Sequence, residues 1–321
     1  MQAILAVTLP FFALILCGYL AAQRGVLAEA AIPGLYGFVL FFALPCLLFR
    51  FGFSMPLASL LNPAVLSVYS ACALIVVTLT ICLSLSTRVQ MKDAAFGALV
   101  AAFPNTGFMG VPLLVALLGE AAAGPVICTI LVDLLLTSSL CIALARGHDA
   151  GAGNRGQALW QALRGALSNP LPWSIALGLS AAALGLTLPG PLASVVKMLA
   201  DAASPVALFT IGAVLWRAGQ HAHSRTPAAL YLPVALIKLL VHPALVMGLG
   251  MAAQGLGAPL SHFQLVVLTL AAALPSASNV SLLAERYGAD NGRVARIILA
   301  STVLAFGSFS TLAWWLSAKV S

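Results

Sequence analysis

Residues 101–112, Ala-Ala-Phe-Pro-Asn-Thr-Gly-Phe-Met-Gly-Val-Pro, set two prolines, two glycines and an Asn inside an otherwise apolar stretch. Pro104 and Pro112 each remove a backbone donor, and Gly107 and Gly110 loosen what remains, so a helix must break or kink here. The surrounding composition sets the cost of that break. With 62% hydrophobic and 7% charged residues, against about 25% charged in a soluble domain, the chain reads as an all-α integral membrane protein. In hydrocarbon a freed backbone group costs several kcal/mol unless protein or a water-filled cavity satisfies it. A break inside a span therefore points to a binding site. The signature returns at 272–279 as Ala-Ala-Leu-Pro-Ser-Ala-Ser-Asn. Paired interruptions in two halves of a chain are the sequence pointer to the substrate site of a secondary transporter built from repeats.

The remaining composition removes other classes. Cys17, Cys46, Cys72, Cys82, Cys128 and Cys141 all lie in apolar stretches without ligand spacing, so no disulfide framework, metal site or cofactor is expected. The net charge of +7 is dispersed over short loops and implies no nucleic-acid partner. No His-Glu-x-x-His, Gly-x-Ser-x-Gly or ATP-binding loop is present, which argues against an enzyme or a primary pump. The start, Met1-Gln2-Ala3, lacks a basic leader region, and the first positive charge, Arg24, follows the apolar run; the first segment is expected to be a retained span that begins outside.

Windows of about twenty apolar residues predict ten transmembrane helices near 3–22, 33–53, 63–86, 93–118, 122–145, 169–188, 200–217, 228–253, 262–287 and 291–317. The one long polar connection, 147–168, is expected to be a cytoplasmic linker that divides a first five-span repeat, 1–146, from a second, 169–321. Eleven basic residues (Arg24, Arg88, Lys92, Arg146, Arg155, Arg164, Arg217, Arg225, Arg286, Arg293, Arg296) fall on one side of that topology and three (Arg50, Lys197, Lys319) on the other. The positive-inside bias then places both termini in the periplasm or outside the cell, and a bacterial inner membrane is the expected location. Five is odd, so the second half enters from the opposite side and the two repeats are inverted, with broken crossover helices in spans 4 and 9. Ala-Ala-Phe-Pro104 matches Ala-Ala-Leu-Pro275, and Pro45 has a counterpart in Pro205. Half-helix N-termini meeting at the midplane carry partial positive charge and favour an anionic ligand.

Phe-Pro104-Asn105-Thr106-Gly107-Phe-Met-Gly110-Val-Pro112, together with Ala-Leu-Pro275 through Ala284-Glu285-Arg286-Tyr287-Gly288, resembles the two crossover regions of the auxin efflux carrier family. Leu-Ile-Lys238-Leu-Leu-Val-His242-Pro243 and Ser204-Pro205 through Gly212 resemble the eighth and seventh spans of its bacterial malonate- or malate-type members, so the resemblance covers nearly the whole chain. It implies ten spans in two inverted repeats, related in fold to bile acid:sodium symporters. It also implies a scaffold of spans 1, 2, 6 and 7, a transport core of spans 3–5 and 8–10, carriage of small organic carboxylates by elevator-like movement, and a homodimer joined through the scaffold spans. Ser276-Ala277-Ser278-Asn279 replaces the Gln-Gly pair of the plant pattern, which argues against auxin itself.

The candidate substrate-binding residues are Asn105, Thr106, Ser276, Ser278, Asn279 and Lys238, with Pro104, Gly107, Pro112 and Pro275 as the helix-breaking set. Asn105 either meets a carboxylate or caps the local helix. Lys238, deep in the eighth span, needs a substrate carboxylate, an acid such as Asp133, or a path to the headgroups. Asp133, mid-span in Leu-Val-Asp-Leu-Leu-Leu, and His242, one turn beyond Lys238 on the same helix face, are candidates for proton coupling or for structural polar contacts. Glu285 and Arg286 read as an interfacial pair at the inner end of the ninth span. The expected activity is secondary active transport of a small organic anion across the bilayer, coupled to protons; a sodium-coupled symporter and a channel or sensor are the alternatives.

Overall fold

A computed structural model describes residues 2–149, 156, 160, 164, 165, 167–220 and 226–317. Most of the 147–168 linker, and Arg155, Arg225 and Lys319 of the basic-residue count, lie outside the described residues. Every regular element among them is helical. Among the described residues seven helices are long and apolar enough to cross a membrane: α1 (Gln2–Gln23), α2 (Glu29–Ser54), α3 (Pro63–Ser84), α6 (Glu120–Gly147), α8 (Gly190–Gln220), α9 (Ala228–Gly255) and α12 (Asn291–Leu316). The shorter ones are α4 (Met91–Ala102), α5 (Thr106–Leu118), α7 (Pro170–Ala183), α10 (His262–Ala273) and α11 (Asn279–Tyr287). The spans at 93–118 and 262–287, expected to be broken, are each two helices, because Pro104 and Pro275 interrupt the backbone ladder.

Four of these helices contain a widened turn with i to i+5 bonding, at Val39–Ala43, Thr106–Gly110, Asp133–Thr137 and Ile237–Val241. Three precede Pro45, Pro112 and Pro243 by two residues. A proline clashes with the carbonyl four residues back, and a widened turn relieves that clash without ending the helix. The fourth has no proline and opens on Asp133.

The packing is of two kinds. On one flank α1 crosses α8 and α2 crosses α7 at backbone contact. A Cβ at Gly18 would sit 1.9 Å from the Phe209 carbonyl oxygen, and one at Gly212 1.9 Å from that of Ile15. In the second crossing a Cβ at Gly52 would lie 2.7 Å from the Ile175 oxygen and one at Gly178 2.3 Å from that of Phe49. Such approach excludes any side chain at these four positions. The other flank encloses α4 and α10, each touching α3, α6, α9 and α12. Nine consecutive residues of each, Ala94–Ala102 and Leu265–Ala273, are buried. The two interrupted helices are therefore sheathed by protein where they break.

Candidate functional site

The breaks satisfy each other. Leaving α4, the chain turns extended at Phe103 and runs antiparallel to the segment leaving α10, with Pro104 opposite Ser276. The Asn105 N–H donates to the Pro275 carbonyl at 2.9 Å, and the Ala277 N–H donates to the Phe103 carbonyl at 3.0 Å. The Ser276 N–H donates to Ser301 Oγ on α12 at 3.2 Å. Prolines 104 and 275 bring no N–H to this pairing, so the missing donors cost nothing there.

Side chains at the crossing are left over. Asn105 stands at the N-terminus of α5 but makes no capping bond with its amide, although it is only 3% exposed. That observation removes the capping role. The buried hydroxyls of Thr106 and Ser276 have no hydrogen-bond partner. Ser278, also buried, precedes α11 without capping it. Around Asn105, Thr106, Gly107 and Asn279 lies a gap of about 20 Å³. It shares Leu40, Phe103, Leu134, Asn169 and Asn279 with a cavity of about 420 Å³. That cavity runs between α2 and the start of α7 on one side and α6 and α11 on the other, and reaches Arg286, Tyr287 and Gly165. Among the described residues its lining contains no Asp or Glu. Tyr36 stacks on Phe108 at 5.4 Å beside it.

A second polar group lies deeper. Lys238 is fully buried and donates from Nζ to the Ala272 carbonyl, in the last turn of α10, with His242 Nδ1 3.5 Å away. The carbonyls of a helix's last turn lack intrahelical partners and carry the negative end of its dipole, so an ammonium fits there. The Ala101 carbonyl, at the matching place in α4, lies beside the His242 ring. Asp133 accepts from Tyr69 Oη at 3.2 and 3.4 Å and from Thr137 Oγ1 at 3.5 Å. The Tyr69 ring lies 5.8 Å from that of His242. One turn of α9 thus faces the C-terminal ends of both interrupted helices, with Tyr69 standing between its histidine and Asp133.

The residues singled out in the sequence separate into these two places. Pro104, Asn105, Thr106, Gly107, Pro275, Ser276, Ser278 and Asn279 gather at the crossing; Pro112 follows the widened turn of α5. Lys238 lines neither the gap nor the cavity, nor does it snorkel, because α9 packs behind α10 and the Ala272 carbonyl holds its ammonium. No salt bridge within 4.0 Å joins it to Asp133 among the described residues, although the two are in electrostatic reach. Arg286 and Glu285 form no ion pair there either. Arg286 faces the cavity, whereas Glu285 faces a separate recess with Arg217. Tyr69 and Arg286 are the additions of the structure. A tyrosine within a span carries no distinguishing signal, but Arg286 lies seven residues after Asn279, the spacing of one helix face.

Residues 3–314 match the family described as "Membrane transport protein". The chain is 30% identical over 319 residues to a Rhizobium meliloti protein named "Putative malonate transporter", covering 97% of this chain and 95% of that one. It is 25% identical over 325 residues to the Escherichia coli protein named "Uncharacterized transporter YfdV", covering 98% and 97%.

Proposed function

The chain belongs to the membrane transport protein family, the auxin efflux carriers of the sequence resemblance, and from that premise we propose that it is a secondary active carrier of a small organic anion such as malonate or malate. The observation that carries this reading is the hydrogen-bonded crossing of Pro104 and Ser276, which leaves the Asn105 amide and the Thr106 hydroxyl unspent beside a cavity and the Ser276 hydroxyl unspent at the crossing itself. An amide, hydroxyls and two half-helix N-termini suit a carboxylate. The name of the Rhizobium meliloti relative agrees with a short dicarboxylate. In proteoliposomes a carrier shows saturable malonate uptake and counterflow. Current without exchange would favour a channel instead, and silence towards all mono- and dicarboxylates would end the reading.

The proposed frame is ten crossings in two inverted repeats, with α4–α5 and α10–α11 as the broken fourth and ninth. The close crossings favour it: Gly18 and Gly178, Gly52 and Gly212, and Pro45 and Pro205 are all 160 positions apart. The contact of span 1 with span 7 thus maps onto that of span 6 with span 2, as a two-fold relation requires. End-to-end contacts agree with the two-sided count of basic residues. Arg217 meets Glu29 at 3.4 Å and the Asp290 N–H meets Asp93 at 2.8 Å on the basic side, while Arg50 meets Asp201 at 3.2 Å on the other. Both termini are then periplasmic in an inner membrane, and the cavity opens inward at Arg286. It lies between α2 and α7 of the scaffold and α6 and α11 of the core, where elevator-like movement would carry a bound anion across. The scaffold faces bearing Leu9, Leu16, Phe41, Phe42, Trp173 and Leu177 are exposed and apolar, and form the dimer surface of this proposal.

Coupling is assigned to protons through Asp133 and His242. Both are buried within spans, whereas the amine of Lys238 already holds the C-terminal carbonyl of α10. Uptake is expected to rise when the outside is acidified at constant sodium, and Asp133→Asn to abolish that response. Uptake that follows a sodium gradient and ignores pH would move the assignment to sodium.

A further inference from the structure

Two ends of the cavity differ in chemistry, and the difference bears on which anion fits. The inner end is the crossing, with Asn279 at the N-terminus of α11 and the nearly enclosed Asn105 amide and unpartnered Thr106 hydroxyl beside it. The outer end carries Arg286, whose guanidinium makes no hydrogen bond or ion pair among the described residues. Asn279, Leu282, Leu283 and Arg286 all line the cavity, as positions i, i+3, i+4 and i+7 of one helix must. Two turns separate Asn279 from Arg286, about 10 Å along the axis at 1.5 Å per residue. Side chains on a helix lean towards its N-terminus, so the long arm of Arg286 is directed back towards the Asn279 end. Arg146, 4.9 Å from the centroid of Tyr287, adds positive charge at the same mouth. With no acid among the described residues of the lining, the cavity offers donors or positive charge at both poles.

We propose that Arg286 binds the second carboxylate of the substrate, which makes this a two-pole site selective for short dicarboxylates over monocarboxylates. This rests on the carrier reading and adds a residue and a discrimination to it. One carboxylate lies at the crossing and accepts from the amides and hydroxyls there. The other meets the guanidinium fork, whose paired donors match two carboxylate oxygens. A monocarboxylate satisfies the crossing alone, leaving Arg286 hydrated.

The test compares malonate with propionate, a three-carbon acid with one carboxylate fewer, by calorimetric titration of the purified full-length protein. For Arg286→Gln, malonate affinity is expected to fall about tenfold or more, the scale of a lost charge-assisted contact, while propionate affinity changes by less than about twofold. Arg286→Lys, which keeps the charge without the fork, is expected to lie between. Size-exclusion profiles check that each variant stays folded, and the exposed position of Arg286 favours this. Equal losses for both acids, or wild-type affinity for both, would overturn the assignment, the latter leaving Arg286 as an anchor to lipid headgroups. If wild-type protein binds neither acid nor any other short mono- or dicarboxylate, the carrier reading falls and this one with it, so the two failures are told apart before any variant is made.

Discussion

Where α1 meets α8 and α2 meets α7, backbone touches backbone through Gly18, Gly212, Gly52 and Gly178; where the two interrupted helices meet, backbone also pairs with backbone, but polar side chains remain unspent. Among the described residues the buried Asp, Lys, His and Arg side chains, Asp133, Lys238, His242 and Arg293, all lie on α6, α9 and α12, around the interrupted helices. A glycine contact needs only the absence of a side chain, so it recurs at the same offset in both halves. The crossing keeps a two-fold pattern in its two backbone bonds, Asn105 to Pro275 and Ala277 to Phe103, one residue out of the match of Pro104 with Pro275. It loses the symmetry in its side chains, with Asn-Thr after one proline and Ser-Ala-Ser-Asn after the other. On the proposed reading, architecture is carried by what is missing from the side chains, and recognition by what is present.

The sharpest way to break this contrast is to put side chains on both kinds of glycine. Gly212→Leu places its Cβ within 2 Å of the position of the Ile15 carbonyl oxygen (1.9 Å), and backbone cannot give way as a flexible side chain does. Overpacking costs about 1–3 kcal/mol in soluble cores and more where backbones collide, so loss of the monodisperse folded species is expected by size-exclusion chromatography. At Gly107 an added Cβ meets only Leu171 Cδ1, at 3.9 Å. Gly107→Ala is therefore expected to fold normally. A stable Gly212→Leu protein would show that the helix pairs are not held by backbone contact.

Next in size is Lys238→Met, which leaves the buried Ala272 carbonyl without its donor, a loss of about 1–3 kcal/mol. The expected readout is a lower unfolding temperature in detergent, with malonate affinity in the cavity nearly unchanged, because Lys238 does not line it. A large loss of affinity at wild-type stability would return Lys238 to the substrate site.

These contrasts also mark how far the sequence could be read. The breaks were legible because Pro, Gly and Asn are conspicuous against an apolar background, and the depth of Lys238 was legible for the same reason. The pairing of Pro104 with Ser276 was not, since an antiparallel register between segments 172 residues apart is set by tertiary packing. Nor was the partner of Lys238 legible: a backbone carbonyl has no residue type, and only the interruption of α10 exposes this one. Arg286 was misplaced as an interfacial partner of Glu285 because adjacency in sequence outweighed helix phase. Adjacent residues on a helix point in different directions, and the cavity lies on the face that Arg286 shares with Asn279.

Asn105→Ala isolates recognition from pairing at the crossing. The Asn105 backbone bond to Pro275 survives the substitution, and its side chain holds no capping bond. Stability should therefore move little while malonate affinity falls about tenfold, or 1.4 kcal/mol. Asn279→Ala is expected to act in the same direction. Unchanged transport in both variants would remove the crossing from the substrate site.

The smallest expected effects separate two neighbouring serines. Ser301 Oγ accepts the Ser276 N–H at 3.2 Å, so Ser301→Ala strands a buried donor and is expected to cost about 1 kcal/mol of stability. Ser301 Oγ is already spent on that backbone N–H, so it has little left to offer a ligand, and binding should stay near wild type. Ser276 Oγ is buried without a partner. Removing an unsatisfied buried hydroxyl is neutral or slightly stabilising, so Ser276→Ala is expected to hold or raise the unfolding temperature while weakening malonate binding severalfold, on the order of 1 kcal/mol. Thermal unfolding and titration of the two variants side by side decide it. If Ser276→Ala loses stability and keeps affinity, its hydroxyl belongs to the architecture, and the division between backbone pairing and side-chain recognition fails at the residue opposite Pro104.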